Sequence, residues 1–301
     1  MSYQDSGRPP ISRVLVTGAL GQLGAAYVGQ LSGSTHVVGV DVDTLDITRE
    51  AALTLFTREL RPSLIINCAA FNDVDGAELA PERASLVNTQ AVETLAHVAQ
   101  ELGATLVHFS TDFVFDGTKK EPYTEADTPA PQSAYGRSKL LGEEAASLVE
   151  RHYVLRLSSL YGGYTRKTGV DWMLWQVDQG HCVSAFADRT VSPSYVPDVV
   201  RITLALLEGR AAYGLYHCGS TGCCTWSELA AHILERSGRS DLLRAVPFVP
   251  SDFRAIRPRQ CALANNKLEH LGLRPLHWRA SLDEYLAGRG CPRTRNHPGS
   301  V

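Results

Sequence analysis

Residues 14–24 of the chain read VLVTGALGQLG, and this segment carries the strongest indication of the fold. Its apolar run VLV leads through three glycines into an apolar helical pattern that continues to residue 31. A buried strand that turns through glycines into a helix is the opening unit of a dinucleotide-binding fold, because the backbone can approach a pyrophosphate and the first helix amides face it. A tight turn whose glycines serve packing alone is the alternative. The residues we predict to bind a dinucleotide here are Gly18, Gly21, Gln22, Leu23 and Gly24.

The alternation of strand and helix continues beyond this turn. Short β-branched runs at 36–40, 64–67, 105–110 and 153–158 are separated by longer helical patterns. This rhythm is typical of βαβ units, so we predict an α/β fold built on a Rossmann-type, doubly wound parallel sheet. The predicted helices lie at 21–31, 50–60, 81–102 and 133–150.

After about residue 160 the rhythm breaks, which predicts a second, smaller unit. A proline-opened helix within 191–209 and a strand at 214–219 follow a stretch that contains Trp172 and Trp175. The predicted organisation is a dinucleotide-binding domain over 11–160 to which 191–218 returns, an interleaved C-terminal substrate lobe over 161–190 and 219–288, and flexible ends at 1–10 and 289–301.

The composition limits the possible partners. The chain has 301 residues, of which 44% are hydrophobic and 20% charged, and its net charge is -3. These values predict a globular protein with a large core, and they argue against binding to nucleic acid or anionic membranes. The first residues lack a signal-peptide pattern and no run is long enough to span a membrane, so we expect a cytoplasmic protein. Seven scattered cysteines, an odd number, predict neither a disulfide framework nor a metal site.

A carboxylate ends the second predicted strand. Asp41 lies about twenty residues past the glycine turn, where a carboxylate accepts hydrogen bonds from the hydroxyls of the adenosine ribose. It would repel a 2'-phosphate, and no Lys or Arg follows before Arg49, so NADH is favoured over NADPH. Asp46 and Ile47 are weaker candidates for the edge of the adenine. An Asp that closes a local turn is the alternative interpretation of Asp41.

Tyr135 and Lys139, in the segment YGRSK, are four residues apart on a predicted helix and therefore share one face. Ser110 and Thr111 end a predicted strand at the sheet edge where ligands of such folds bind. A phenol titrates near pH 10, so a neighbouring cation makes it a more effective acid or base at neutral pH. Reduction of a ketone by hydride also needs a proton donor at the carbonyl oxygen. Tyr135 is therefore predicted to be a catalytic residue, with Lys139 beside it.

At this point the chain resembles the extended short-chain dehydrogenase/reductase family, and within it the dTDP-4-dehydrorhamnose reductase group. The resemblance covers residues 12–287 and rests on several motifs together. They are TGALGQLG (17–24), INCAAFNDVDGAE (66–78), STDFVFDG (110–117), YGRSK (135–139), SPSYVPDV (192–199), RPRQCALANNKLEHLGL (257–273) and WRASLDEYL (278–286).

The resemblance implies the roles of the catalytic residues. Thr111 is implied to hydrogen-bond the substrate carbonyl, and Tyr135 to donate the proton. Lys139 is implied to bind the nicotinamide ribose and to lower the pKa of the phenol. The small residues after the third strand are implied to let NADH or NADPH lie close, and Asn88 stands at a buried asparagine position of the family that a satisfied core amide would explain equally well. These small residues are Cys68, Ala69 and Ala70.

The substrate implied is a nucleoside-diphospho-4-keto-6-deoxyhexose. The reductase group usually has a tryptophan where this chain has Ser159 and more often a tyrosine where it has Phe113, so we expect a roomier pocket and a bulkier or modified sugar. Trp172 or Trp175 could replace the missing ring. Arg189 and Arg257 are the predicted partners of the diphosphate. Asp112 completes the predicted substrate-binding set.

Other functions of the same scaffold remain open at the level of sequence. A 4,6-dehydratase carries a glutamate after Thr111-Asp112, where this chain has Phe113. A 4-epimerase uses the same Tyr and Lys, and a non-catalytic subunit like the β subunit of methionine adenosyltransferase resembles this chain over 122–145. We expect no metal, a possible homodimer, and Glu143 and Glu144 on the solvated side of the helix that carries Tyr135.

Overall fold

The computed structural model describes residues 11–165, 168–209 and 211–289. The strands are β1 Arg13–Thr17, β2 His36–Val40, β3 Leu64–Asn67, β4 Thr105–Thr111, β5 His152–Leu157, β6 Val183–Phe186, β7 Thr190–Val191, β8 Gly214–His217, β9 Cys224–Thr225, β10 Leu243–Val246 and β11 Gln260–Cys261. The α-helices are α1 Gln22–Leu31, α2 Glu50–Leu60, α3 Val74–Leu79, α4 Pro81–Ser85, α5 Ala91–Leu102, α6 Ala134–Ser147, α7 Gly169–Asp178, α8 Val196–Glu208, α9 Trp226–Arg236, α10 Asn266–His270 and α11 Trp278–Arg289.

The central sheet has six strands in the order β2-β1-β3-β4-β5-β8, and each neighbouring pair is parallel. Val14 and Val16 pack toward α1 and α8, whereas Leu15 packs toward α2, α5 and α6. Helices therefore cover both faces, which explains why the strands are apolar at nearly every position. The predicted doubly wound α/β fold is confirmed.

Strand order reverses at β1, because β2 lies on one side of it and β3 on the other. In open parallel sheets, ligands bind outside the carboxyl ends of the strands near such a reversal. The residues that follow β1, β2 and β3, and those that end β4 and β5, thus meet at one edge of the sheet.

The predicted helix over 81–102 is interrupted. A π-helical turn, Leu86–Gln90, separates α4 from α5. Asn88 lies in this turn, and its backbone oxygen would be 2.2 Å from a Cβ at Gly142 of α6. The turn therefore brings the backbone of this segment against the helix that carries Tyr135.

The remaining strands form two small sheets, β10-β6 and β11-β7-β9. Their core contains Tyr161, Met173, Ile233 and Trp278. Meanwhile β8 pairs with β5, and α8 packs against the same side of the main sheet as α1. Within the described ranges, no helix is long and apolar enough to cross a membrane. The predicted flexible ends lie outside the described residues, except for Arg289, which ends α11.

Candidate active site

Two adjoining cavities, of about 480 and 400 Å³, follow the carboxyl edge of the sheet. Gly21, Cys68, Ala69, Ala70 and Asn72 line both. The structure thus brings the glycine turn and the small residues after β3 to one continuous depression. One end of it contains the acidic residues after β2, and the other contains Tyr135 and Lys139.

The glycine turn is shaped as a backbone cradle. Gly18 has a φ of +63°, and a Cβ there would lie 2.7 Å from the backbone nitrogen of Ala69. A Cβ at Gly24 would lie 2.1 Å from the carbonyl oxygen of Gly18. Gly21 is the N-cap of α1 and supplies no capping side chain. The open N-terminus of α1, against close-packed glycines, has the form that a dinucleotide pyrophosphate requires.

At the acidic end, Asp41, Asp46 and Ile47 line the cavity as predicted. The carboxylate of Asp41 accepts hydrogen bonds from the backbone amides of Leu20 and Val42 at 2.9 and 2.8 Å. This carboxylate therefore ties the glycine turn to the end of β2. Arg83, which sequence reasoning did not consider, lines the same cavity and contributes a positive charge near Asp46.

The catalytic candidates meet at the other end. Helix α6 begins after Ser133, whose hydroxyl accepts a hydrogen bond from the amide of Gly136. Tyr135 and Lys139 are 8% and 3% exposed, and both line the cavity together with Thr111. The structure therefore brings together the three residues predicted to be catalytic.

Burial controls the protonation of this pair. It raises the pKa of Tyr135 to about 12, with a smaller rise from the charge of Asp112 and an opposing hydrogen bond from Thr111. It lowers the pKa of Lys139 to about 8, against the opposing charge of Glu143. The expected lowering of the phenol pKa by Lys139 is therefore wrong for this structure, in which Lys139 donates a hydrogen bond to the carbonyl oxygen of Phe109 at 2.5 Å.

Three further residues predicted to bind the cofactor, Gln22, Leu23 and Asn88, make structural contacts around the cavity. The side-chain oxygen of Gln22, which also lines it, accepts a hydrogen bond from the amide of Gly163. Leu23 lines it and contributes to the core below. Asn88 is fully hydrogen-bonded, to the backbone of Phe71 and to the hydroxyl of Ser138. Asn88 thus joins the loop after β3 to α6. These hydrogen bonds are the ones expected of a satisfied core amide.

Among the substrate candidates, Ser159 lines the cavity and has a φ of +47°, a strained backbone for a residue other than glycine. Phe113 packs edge to face on Tyr135 at 5.6 Å between ring centroids. Asp112 is 3% exposed, and its carboxylate accepts hydrogen bonds from Thr111 and Ser158. Asp112 therefore supports the end of β4 from below the cavity.

The two arginines predicted to bind the diphosphate are engaged in contacts within the protein. Arg189 is 7% exposed, donates to the carbonyl oxygen of Pro258 and lies 5.6 Å from the ring centroid of Phe113. Arg257 forms a bidentate ion pair with Asp75 at 2.7 and 2.9 Å. In the part of the chain that the structure describes, neither arginine lines the cavity of Tyr135. Their predicted role toward a diphosphate thus requires these contacts to be exchanged.

The two tryptophans that could have replaced the missing ring lie on the outer face of α7. Trp172 is 44% exposed and Trp175 53%, while Met173 and Leu174 between them are buried. Their spacing of three residues places both on the side of α7 away from the lobe core.

Sequence reasoning missed a buried ion pair behind the catalytic residues. Glu143 was expected on the solvated side of α6, and that expectation is wrong, because Glu143 is 7% exposed and pairs with Arg156 at 2.7 Å. Glu144, the next residue, is exposed as expected. The i, i+8 spacing from Tyr135 could have indicated that Glu143 shares the catalytic face.

Known proteins that are similar to this chain agree with the fold and the site described above. A family model described as the RmlD substrate binding domain matches residues 12–290. The dTDP-4-dehydrorhamnose reductase of Streptomyces griseus is 34% identical over 302 residues, covering 95% of this chain and 99% of that protein. The dTDP-4-keto-6-deoxy-D-glucose reductase of Streptomyces niveus is 35% identical over 282 residues, covering 90% and 96%.

A solved structure extends the likeness to three dimensions. The dTDP-4-dehydrorhamnose reductase of Bacillus anthracis in complex with NADP has a TM-score of 0.86 and 32% identity, and the match covers 93% of this chain and 100% of that one. The fold and the site define a Rossmann-type protein of the extended short-chain reductase class. Within that class, this chain belongs to the RmlD substrate binding domain family, which confirms the predicted group.

Proposed function

We propose that this protein uses NADH or NADPH to reduce the 4-keto group of a nucleoside-diphospho-4-keto-6-deoxyhexose. The observation that carries the proposal is the convergence of Thr111, Tyr135 and Lys139 on one cavity that continues to the glycine turn. The relatives named for this reaction on closely related sugars match nearly the whole chain.

The bound nicotinamide would supply the hydride that attacks the carbonyl carbon. Tyr135 remains a protonated phenol throughout the neutral range, because burial raises its pKa to about 12, and so it can give its proton to the developing alkoxide. Thr111, at the end of β4, lines the same cavity and would hydrogen-bond the same oxygen. Lys139, whose pKa is about 8, carries a positive charge near neutral pH and stabilises negative charge at this end of the cavity.

For the cofactor, NADH is used at least as well as NADPH. Asp41 and Asp46 both line the cavity end expected to hold the adenosine, and their charges oppose a 2'-phosphate. Arg83, which lines the same cavity, carries a positive charge that would favour a 2'-phosphate. Titration of the protein with each cofactor tests the preference: comparable or tighter NADH binding is expected, and clearly tighter binding of NADPH contradicts it. Arg83→Ala should weaken NADPH binding selectively.

For the sugar, Ser159 leaves room beside Tyr135 and provides no aromatic surface, which favours a substrate other than the rhamnose precursor alone. The test is a comparison of kcat/KM across dTDP-linked and other nucleotide-linked 4-keto sugars, with cofactor oxidation as the signal. Values of about 10⁴ M⁻¹s⁻¹ or higher for at least one modified sugar are expected. Turnover of dTDP-4-dehydrorhamnose alone would contradict the specificity, and no oxidation with any sugar would contradict the reductase function.

A further inference from the structure

The helix that carries Tyr135 presents three buried polar side chains in line. Tyr135, Lys139 and Glu143 are spaced four residues apart along α6, and they are 8%, 3% and 7% exposed. Residues at this spacing stack along one helix face. The family resemblance assigns roles to the first two, whereas Glu143 lies one turn beyond them.

Two of the three side chains are hydrogen-bonded to consecutive residues of β4. Lys139 donates to the backbone oxygen of Phe109, and Glu143 accepts from the hydroxyl of Ser110. Tyr135 lines the same cavity as Thr111, the last residue of β4. The catalytic face of α6 is therefore aligned with the end of β4 through two successive hydrogen bonds, below the cavity that Tyr135 and Thr111 share.

Glu143 is held from a second strand as well. Its two carboxylate oxygens accept from Nε and Nη2 of Arg156 at 2.8 and 2.7 Å, and Arg156 is the cross-strand partner of Ser110 in the sheet. Arg156 also packs over the ring of Phe115 at 4.9 Å. A bidentate pair of this kind fixes both position and orientation.

Few charges reach Lys139 from the elements around it. Cys68 faces it from the end of β3 and His108 from β4. Burial raises the pKa of the Cys68 thiol and lowers that of His108 well below its usual range, so both are neutral near pH 7. Within the described chain, Glu143 with its partner Arg156 on β5 thus remains as the charged pair behind Lys139.

We propose that Glu143 is a positioning residue of the reductase: held by Arg156 and Ser110, it aligns α6 with the end of β4 and supplies a buried negative charge one helical turn from Lys139. The inference rests on the proposed function, because it assigns Glu143 a task in that reaction. It makes two separable claims, one about charge and one about alignment.

Glu143→Gln tests the charge, since it keeps the size of the side chain and an acceptor for Ser110. An opposite charge at this range raises the pKa of a lysine by about one unit or more. Its loss should therefore move the alkaline limb of kcat to lower pH by about one unit, which gives a roughly fivefold fall in kcat at pH 8 and little change near pH 6. The substrate KM should change by less than about twofold.

Glu144→Gln is the matched control, because it makes the same chemical change at the exposed next position of α6. It should retain the pH profile of the parent protein. A Glu143→Gln variant that melts at lower temperature but keeps the parent pH profile would overturn the charge claim, since a merely structural residue behaves in this way. If Arg156 left alone prevents folding, the double variant Glu143→Gln/Arg156→Met leaves no unpaired buried charge. It should move the alkaline limb in the same direction but by less, because the positive charge of Arg156 is lost as well.

Ser110→Ala tests the alignment, since it removes one hydroxyl and keeps both charges. It should lower kcat severalfold at every pH without moving the alkaline limb. A parent-like kcat would overturn the alignment claim.

Cofactor binding separates this inference from the proposed function. Binding of NADH and NADPH to the parent protein and to Glu143→Gln, measured from about pH 6 to pH 9, needs no sugar substrate. Because Lys139 is expected to contact the nicotinamide ribose, affinity should begin to fall at lower pH in the variant. If no sugar is reduced but this shift appears, the proposed function fails and the charge claim stands; identical binding profiles overturn the charge claim.

Discussion

Tyr135 shows how a single residue depends on its surroundings. The sequence places it four residues before a lysine, and that spacing favours an activated phenol. In the structure Tyr135 is buried, and desolvation raises its pKa to about 12. A phenol with this pKa is a proton donor across the neutral range, which suits the reductive direction of the reaction.

Replacement of Tyr135 by Phe removes that donor while keeping the ring that packs on Phe113. We expect kcat to fall by about 10² to 10⁴, the usual contribution of general acid catalysis, with cofactor affinity and melting temperature unchanged. Steady-state kinetics with cofactor titration and thermal melts check this. A variant that retains more than about a tenth of the parent kcat would remove Tyr135 from the mechanism.

At the level of elements, the local sequence pattern predicted the bounds of strands and helices correctly where its apolar periodicity was clear. The strands at 36–40 and 64–67 and the helix at 50–60 have the predicted bounds, because their β-branched runs and helical apolar periodicity are clear in the sequence. Burial did not follow the apolar run of β2, where only Val40 is buried because the strand lies at the edge of the sheet. The helix over 81–102 was wrong in detail, since the π-helical turn around Asn88 depends on contacts with residues 17 and 50 positions away.

The candidate site, too, could be predicted from the sequence only in part. The glycine turn and the strand-end residues could be predicted, since a parallel sheet brings the carboxyl ends of its strands together. The ion pair of Glu143 could not be predicted, because its partner Arg156 approaches from β5. The ion pair of Arg257 with Asp75 was likewise hidden, because the two residues are 182 positions apart.

The glycine turn has no room for a side chain at Gly24. In Gly24→Ala the new Cβ would lie 2.1 Å from the oxygen of Gly18, so the turn must open. We expect weaker cofactor binding and a loss of stability of about 1–3 kcal/mol, the usual cost of overpacking.

Gly33→Ala is the matched control, because a Cβ there meets nothing within 4 Å. Cofactor titration and denaturant melts of both variants check the prediction. Parent-like cofactor affinity in Gly24→Ala would contradict the role of the turn as a close-packed cradle.

Across the whole molecule, a bidentate ion pair joins the Rossmann-type half to the segment before β11. Asp75, in α3 after β3, accepts from Arg257 and from the amide of Ala255 in the segment before β11. The Arg257 guanidinium also stacks on Phe253 at 4.0 Å. These bonds hold the pKa of Asp75 at about 2, chiefly through the hydrogen bond from Arg257.

This contact predicts a pH-dependent stability difference. A carboxyl whose folded pKa is lowered stabilises the fold above its unfolded value, near 3.8, and loses that contribution as the pH falls toward 2. Asp75→Asn should therefore be less stable than the parent at pH 7, by at most about 1 kcal/mol because Asp75 is more than a third exposed. The melting temperatures of the two proteins should approach each other as the pH falls below about 4 and converge near pH 2. A constant difference would show that the charge of Asp75 is not the cause.

In the proposed reaction, hydride passes to C4 of a nucleotide-linked 4-keto-6-deoxy sugar. The most direct test of this step is to incubate the protein with such sugars and with NADH or NADPH that carries deuterium at the transferable position, and then to locate the label in the product. We expect deuterium at C4 of the sugar in the parent protein and almost none with Tyr135→Phe in the same time. Oxidised cofactor without deuterium at C4, or an unreduced sugar from a protein that binds the cofactor normally, would contradict the claim.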